Sequence, residues 1–439
     1  MIYEKTEAFC NQCNQYHPAE IEIDDKRVLG KVWCPIKPSI HQLSDHADLY
    51  LKIRNKLNFN LNNDLPVSDR AFVYSIEITN ACNFKCPICY ADSGSNPKSL
   101  FLSVFEIEKR ILTIKKHGAK VVVLTGGEPL MHPEILTILK FVKKYRMKSI
   151  ICSNGLLIAQ KPNLAKELKK AGLNKFNLSL DTLNTQTQMQ MKANDYIDMK
   201  IRTIKSVIDA GLGIGIIITV TTINLEEIHR LLAFILPYAP RLRMITIQGA
   251  GPGIRYELDH NTLVDRETII KKITHKSILE KISCDDFRPF PNYAPWKIQG
   301  HPDCMVNTLL VVKNNEITPL SKYLDVDGFY YDLSRVNRSS SYFTKNILPV
   351  WFVIKRAKKN QLLNLIDLFM SRKFGIGKHS LVILGVVSYA FTAFQEKKKL
   401  HLCPMAFLTA TGPKGACAYN GMGEGEVNSR LYNEKNNIF

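Results

Sequence analysis

Between residues 72 and 250, short β-branched apolar runs alternate with stretches whose apolar residues recur every three to four positions. The runs predict strands over 73–79, 120–125, 148–152, 175–180, 213–221 and 244–248. The stretches predict helices over 104–117, 133–145, 165–171, 199–210 and 225–236. Alternation at this spacing builds βαβ units and a parallel sheet. Six repeats suit an open or partly closed barrel, shorter than the eight of a complete one. Its working residues should lie at the C-terminal ends of the strands. Before this core, the pattern over 19–32 alternates around Asp25-Lys26 and predicts a β-hairpin. After it the rhythm is less regular, and Gly251-Pro252-Gly253 marks a break. The expected organisation is an N-terminal segment over 1–70, a core over 71–250 and a C-terminal region over 251–439.

Composition narrows the class. At 439 residues, 45% hydrophobic and 23% charged, the chain is globular, not disordered or collagenous. The longest apolar run, 381–394, is shorter than the roughly 18 residues of a membrane-spanning helix, so a buried strand or helix is expected there. The first residues carry early acids and no apolar signal region, which predicts a cytoplasmic protein. In that setting eleven cysteines, an odd number, argue for metal ligation or redox chemistry rather than a disulfide framework. The formal charge of +19 suggests an anionic partner, or solubility on a lysine-rich background.

The most informative stretch follows the first predicted strand. Cys82, Cys86 and Cys89 stand at Cys-x3-Cys-x2-Cys spacing. Thiolates suit iron–sulfur clusters or zinc. Three of them can hold three irons of a [4Fe–4S] cube and leave the fourth open, whereas a closed zinc site wants four ligands. Gly126-Gly127-Glu128-Pro129 ends the second strand, Ser153-Asn154-Gly155 the third, and Ser179-Leu180-Asp181 the fourth. The glycines allow close backbone approach to a ligand, and Glu128 can accept from an ammonium group. Singly, these are turn and cap residues. In order after the triplet, they are hard to explain otherwise.

Over roughly 72–250 this pattern resembles the radical S-adenosylmethionine (SAM) superfamily. The resemblance implies an α/β fold: a partial (βα)6 barrel with a small N-terminal metal-binding β segment and a C-terminal α+β extension. It implies a [4Fe–4S] cluster on Cys82, Cys86 and Cys89, with SAM chelating the open iron. An external flavodoxin- or ferredoxin-like donor would supply the electron, and a 5′-deoxyadenosyl radical would abstract a substrate hydrogen. By the same resemblance Glu128 and the Gly126–Gly127 backbone bind the methionine amino group. Asn154, Ser179 and Asp181 contact the ribose and carboxylate, and Tyr90 lies near the adenine.

The remaining cysteines fall into two groups. Cys10, Cys13 and Cys34 resemble a knuckle-type mononuclear site, with His41 favoured over His17 as fourth ligand and zinc or iron as the metal. Cys304 in a His-Pro-Asp-Cys stretch, Cys403, and Cys417 in a Cys-Ala-Tyr-Asn stretch resemble a narrower branch, that of tetraether lipid synthase-like enzymes formerly taken for pterin methyltransferases. That branch usually carries further cysteines, so an auxiliary [4Fe–4S] cluster here would rest on these three, with Cys284 as a possible fourth. Cys152 reads as a buried small hydrophobe.

Residues 341–400 hold eleven Lys and Arg against Asp367 and Glu396. Within 351–374 apolar residues recur near helical spacing, predicting a helix that either packs on the core with a solvated basic face or lies on an anionic membrane surface. The expected function is hydrogen abstraction from an unactivated C–H bond, with carbon–carbon coupling of lipid chains as the sharpest version. The alternative is methylation or modification of a pterin-like molecule or a peptide. A metal-stabilised nucleic-acid-binding protein is disfavoured by the intact triplet.

Overall fold

The computed structural model describes residues 1–10, 12–56, 71–94, 99–251, 255–275, 279–290, 300–314, 316–336, 341–374, 379–388 and 394–421. The expected boundary near residue 70 and the Pro252–Gly253 part of the break lie outside the described residues. The chain opens with an antiparallel sheet of β1 (Ile2–Cys10), β2 (Gln15–Asp24), β3 (Arg27–Val32) and β4 (Ser39–Ser44) in sequential order. The expected hairpin is β2–β3, turning at Asp25 with φ 51°. Helix α1 (Ala47–Arg54) follows.

The core alternates as the pattern predicts. Strands β5 (Val73–Thr79), β6 (Val121–Gly126), β7 (Lys148–Ser153), β8 (Leu173–Ser179), β9 (Gly213–Val220) and β10 (Leu242–Gly249) pair in parallel and in sequential order. Helices α2 (Val104–Lys116), α3 (Ile135–Lys144), α4 (Leu164–Ala171), α5 (Thr185–Lys192), α6 (Ile197–Asp209) and α7 (Ile228–Ile235) connect them. The Ser103 side chain caps α2 by accepting from Glu106 N–H, and the fully buried Ile107, Ile111 and Ile114 lie on its inward face. Helix α5 was not foreseen, because Thr-Gln-Thr-Gln-Met-Gln-Met-Lys carries no apolar stripe. Asn184 starts it by accepting from Gln186 and Thr187 N–H.

Past helix α8 (Arg266–Thr274), the C-terminal region adds strands to the same sheet. It contributes β11 (Met305–Lys313), β12 (Glu316–Pro319), helices α9 (Val326–Ser334), α10 (Tyr342–Arg356) and α11 (Leu362–Phe374), and strands β13 (Ser380–Val387), β14 (Met405–Thr409) and β15 (Gly412–Gly415). Strand β13 lies parallel to β10 at one edge and β14 parallel to β5 at the other, so the six-strand core is bordered on both sides. Gln395–Glu396 pairs with β1, which ties the N-terminal sheet to the same region. The apolar run over 381–394 is in part β13, while 389–393 lies outside the described residues. The single helix expected over 351–374 is two helices. The break falls at Ala357, bridged to Leu324, and at Asn360, which adopts a left-handed φ of 63° that a helix does not continue through.

Candidate active site

The loop after β5 carries the three cysteines, and the ends of its neighbours hold it down. Asn80 Oδ1 accepts from Leu100 N–H at 2.7 Å, and Thr79 Oγ1 donates to the Leu100 carbonyl at 2.6 Å. From the end of β6, Gly127 N–H donates to the Thr79 carbonyl (2.8 Å) and Glu128 N–H to the Ala81 carbonyl (2.7 Å). From the end of β7, Asn154 Nδ2 donates to Asn83 Oδ1 at 2.7 Å. Ile88–Cys89 pairs with Arg255–Tyr256, and Phe84 stacks on Tyr196. All three sulfurs therefore sit where β5, β6 and β7 terminate.

The two glycines are needed for chain crossing. A Cβ on Gly127 would stand 2.2 Å from the Ala81 carbonyl oxygen, and one on Gly126 2.1 Å from that of Thr79; Gly126 also has φ +133°. The sequence pattern read them as making room for a ligand. In the structure they make room for the cysteine loop. Glu128 is likewise engaged inside the chain. Its buried carboxylate accepts from Ser153 Oγ (2.8 Å), Leu130 N–H (3.0 Å) and Asn154 N–H (2.8 Å), and burial raises its pKa to about 6. One of the roughly four acceptor positions of a carboxylate stays open.

At the ends of β8 and β9, Asp181 Oδ1 accepts from Thr219 N–H at 2.6 Å, and Ser179 Oγ lies 3.4 Å from Asp181 Oδ2. Tyr90 meets Thr125 Oγ1 at 3.2 Å. Two lysines that the motifs did not single out complete the site. Lys192 pairs with Asp181 at 3.0 Å. Lys200 is buried, donates to the Ser179 carbonyl at 2.5 Å, and stands 5.9 Å from the Phe84 ring centroid. Burial lowers its pKa to about 8, against the pull of Asp181. A signal existed: Lys200 interrupts the stripe Ile197, Ile204, Val207 on α6. Burial raises the Cys82 thiol to about 12 and also raises Cys86, which Lys192 and Lys200 pull back down.

A family model described as the radical SAM superfamily matches residues 76–235. The probable GTP 3′,8-cyclase of Saccharolobus solfataricus is 30% identical over 217 residues, covering 49% of this chain and 68% of that protein. The chain belongs to the radical SAM superfamily. The probable GTP 3′,8-cyclase of Methanocaldococcus jannaschii is 27% identical over 287 residues, covering 61% of this chain and 95% of that one. From the same organism, a 7,8-dihydro-6-hydroxymethylpterin dimethyltransferase is 21% identical over 418 residues, covering 84% and 82%. Membership in the superfamily makes the chain an enzyme and implies SAM and a [4Fe–4S] cluster as its cofactors. The donor set agrees. Cys82, Cys86 and Cys89 are free thiols, the ligand type that holds iron–sulfur clusters, and two other groups among the described residues bring potential metal ligands to within 4.8 Å of one another.

The N-terminal group is drawn to the tighter spacing. Cys10, Cys13 and Cys34 lie mutually within 4.8 Å, with Cys13 and Cys34 sulfurs 3.8 Å apart. That is the edge of a tetrahedron with metal–sulfur bonds of about 2.3 Å. Backbone N–H groups of Lys37 and Ile36 lower the Cys34 thiol. The histidine at this group is His17, whose Nε2 is 2.9 Å from Cys13 Sγ. His41, the expected ligand, instead meets Ser39 Oγ at 2.8 Å and faces Phe394, because it lies on β4 beyond β3.

Cys304, Cys403 and Cys417 are also brought together. The Cys417 thiol hydrogen-bonds the Cys403 sulfur, which lowers Cys403 and raises Cys417; burial raises Cys417 further, and the Cys403 and Cys304 sulfurs add to the rise. Cys284 meets Thr274 Oγ1 at 3.3 Å. Cys152 receives Asn177 Nδ2 at 3.5 Å. The second close ligand group, His301, Asp303 and Glu396, contains a cation already: Arg54 forms an ion pair with Asp303, and Tyr50 donates to the same oxygen at 2.6 Å.

Proposed function

We propose that the chain is a radical SAM enzyme acting on a small fused-ring heterocycle of the pterin type. The carrying observation is the extent of the likeness to the pterin dimethyltransferase, which takes in 84% of the chain and so runs well beyond the matched core. The GTP cyclase relatives point to the same chemistry, since guanine and pterin share an aminopyrimidinone ring. The lipid-coupling version rests on the terminal Cys motifs and on an apolar surface described below, and has no such support from the relatives.

In this reading Cys82, Cys86 and Cys89 hold the cluster, which supplies reductive cleavage of SAM to a 5′-deoxyadenosyl radical. The protein's part is to position and to exclude water. Lys192 and Lys200 place positive charge beside Cys86 and offset the charge of the thiolates. Glu128 fixes the cysteine loop against β6 and β7, and its open acceptor position is left for the methionine ammonium. Asn154, Ser179, Asp181 and Tyr90 supply polar contacts at the neighbouring strand ends. Cys304, Cys403 and Cys417 are the candidate ligands of an auxiliary cluster.

The test is formation of 5′-deoxyadenosine by the reconstituted chain with dithionite, in the presence of pterins, GTP, a peptide mixture or isoprenoid lipids. Stimulation by a reduced pterin supports the reading, and stimulation by lipid alone overturns it. Cys86→Ala should abolish cleavage with every substrate, and turnover by that variant would remove the cluster assignment.

A further inference from the structure

Helices α10 and α11 are apolar on both sides, yet each is covered on one side only. Inward, Leu348, Phe352, Leu365 and Leu368 pack on a satellite core with Leu324, Tyr330 and Leu333. Outward, Ile347, Trp351 and Ile354 repeat at i, i+4, i+7 on α10, and Leu362, Ile366 and Phe369 repeat the same spacing on α11. These six are 40% to 56% exposed, and Leu363 is 79% exposed. A helix apolar all round belongs in a core or against lipid, and exposed apolar side chains repeated along one face of each of two helices mark an interaction surface.

The charge around the ridge selects the partner. Residues 341–374 carry seven Lys and Arg against one acid, Asp367, and His379 engages that acid. Arg356 is used within the fold, by Asp332 and Asp325. Lys358 and Lys359, in the turn between the helices, are exposed and form no ion pair among the described residues. Two copies docked through this face would bring like charges together. A surface of anionic phosphates over an apolar interior complements both the lysines and the ridge. No helix among the described residues is long and apolar enough to cross a membrane.

We propose that the α10–α11 face is a monotopic membrane-docking surface, its apolar ridge set into the headgroup–acyl boundary of an anionic bilayer with Lys358 and Lys359 on the phosphates. This goes beyond the catalytic reading and does not depend on the substrate, because 5′-deoxyadenosine formation in solution reports that reading separately.

The experiment is flotation of the full reconstituted chain with vesicles of phosphatidylcholine alone and of phosphatidylcholine mixed with phosphatidylglycerol. The chain is expected to float with the mixed vesicles and to bind them less as salt rises. Trp351→Glu with Leu363→Glu should weaken binding about tenfold or more. Lys358→Gln and Lys359→Gln should weaken it about fivefold each. These side chains are exposed, so iron content and thermal midpoint should match the parent and serve as fold controls. Absence of the parent from the mixed vesicles at low salt overturns the proposal. So does flotation unaffected by the glutamate pair, which would mean adsorption by charge alone. A self-associated parent that fails to float, and that the glutamate pair dissociates, would assign the face to a second copy.

Discussion

Lys200 shows what a single residue contributes to this site. An ammonium with no aqueous contact is costly, and the pKa lowered from 10.5 to about 8 reflects that cost. The sign of its pH dependence follows. Below about pH 8 both folded and unfolded chains carry the proton, and the penalty is fully present. Between about 8 and 10.5 the unfolded chain binds more protons, so stability rises with pH. Lys200 should therefore contribute a gain on the order of 3 kcal/mol across that window, read as the difference between the metal-free parent and Lys200→Met in urea unfolding at a series of pH values, because raised thiols such as Cys82 pull the parent's own stability the other way above about pH 9. Lys200→Met should flatten the rise, and an unchanged slope would refute the assignment. Gly127→Ala should destabilise the fold and lower cluster retention, because its Cβ would meet the Ala81 carbonyl oxygen at 2.2 Å and backbone cannot yield as a flexible side chain does. Normal iron content with an unchanged thermal midpoint would count against it. The motif residues were legible as a set, since spacing and order are sequence properties. What Glu128 and the glycines touch was not, because those contacts join strand ends that are distant along the chain.

At the scale of elements, the parallel core was legible because apolar period and turn chemistry agree over six repeats, and each predicted core strand overlaps a strand of the structure. Helix α5 was missed for lack of an apolar stripe, and the α10–α11 break was missed because Ala357–Asn360 lacks glycine and proline. The β1–β2 hairpin carries a sharper consequence. It sets Cys10 and Cys13 at its turn and brings His17, four residues later, to 2.9 Å from Cys13, while the fold turns His41 elsewhere. Cys13→Ser should remove about one zinc or mononuclear iron per chain and leave the iron of the cluster proposed for Cys82, Cys86 and Cys89 in place. His17→Ala should weaken that metal more than His41→Ala does, as measured by competition with a chromogenic chelator. Equal effects of the two histidines would leave the site a three-thiolate one.

At the scale of the molecule, the chain closes on itself through a buried ionic knot that no local pattern could reveal, since Arg54 and Asp303 at its centre lie 249 residues apart. Arg54 at the end of α1 bonds Glu4 of β1 and Asp303 of the His-Pro-Asp-Cys stretch, and donates to Tyr50 Oη at 2.8 Å. Against burial, Arg54 holds the Asp303 carboxyl well below the usual range, while burial pushes His301 down to about 3 and Glu396 up to about 7. The five acidic and basic members, Glu4, Arg54, His301, Asp303 and Glu396, come from the N-terminal sheet, α1 and the C-terminal region, and Asp303 is the residue before Cys304. The arginine is therefore the counter-charge that allows these segments to be packed dry. Arg54→Ala should leave Asp303 buried without a counter-ion and cost about 3–5 kcal/mol in urea unfolding. Asp303→Asn alone should be costly too, because it leaves the guanidinium short of charge. The double variant should be destabilised by clearly less than the two single costs added together, since neither unpaired charge then remains. Additive costs would mean that the two groups do not stabilise each other, and the knot would be a neighbourhood of charges with no role in joining the ends of the chain.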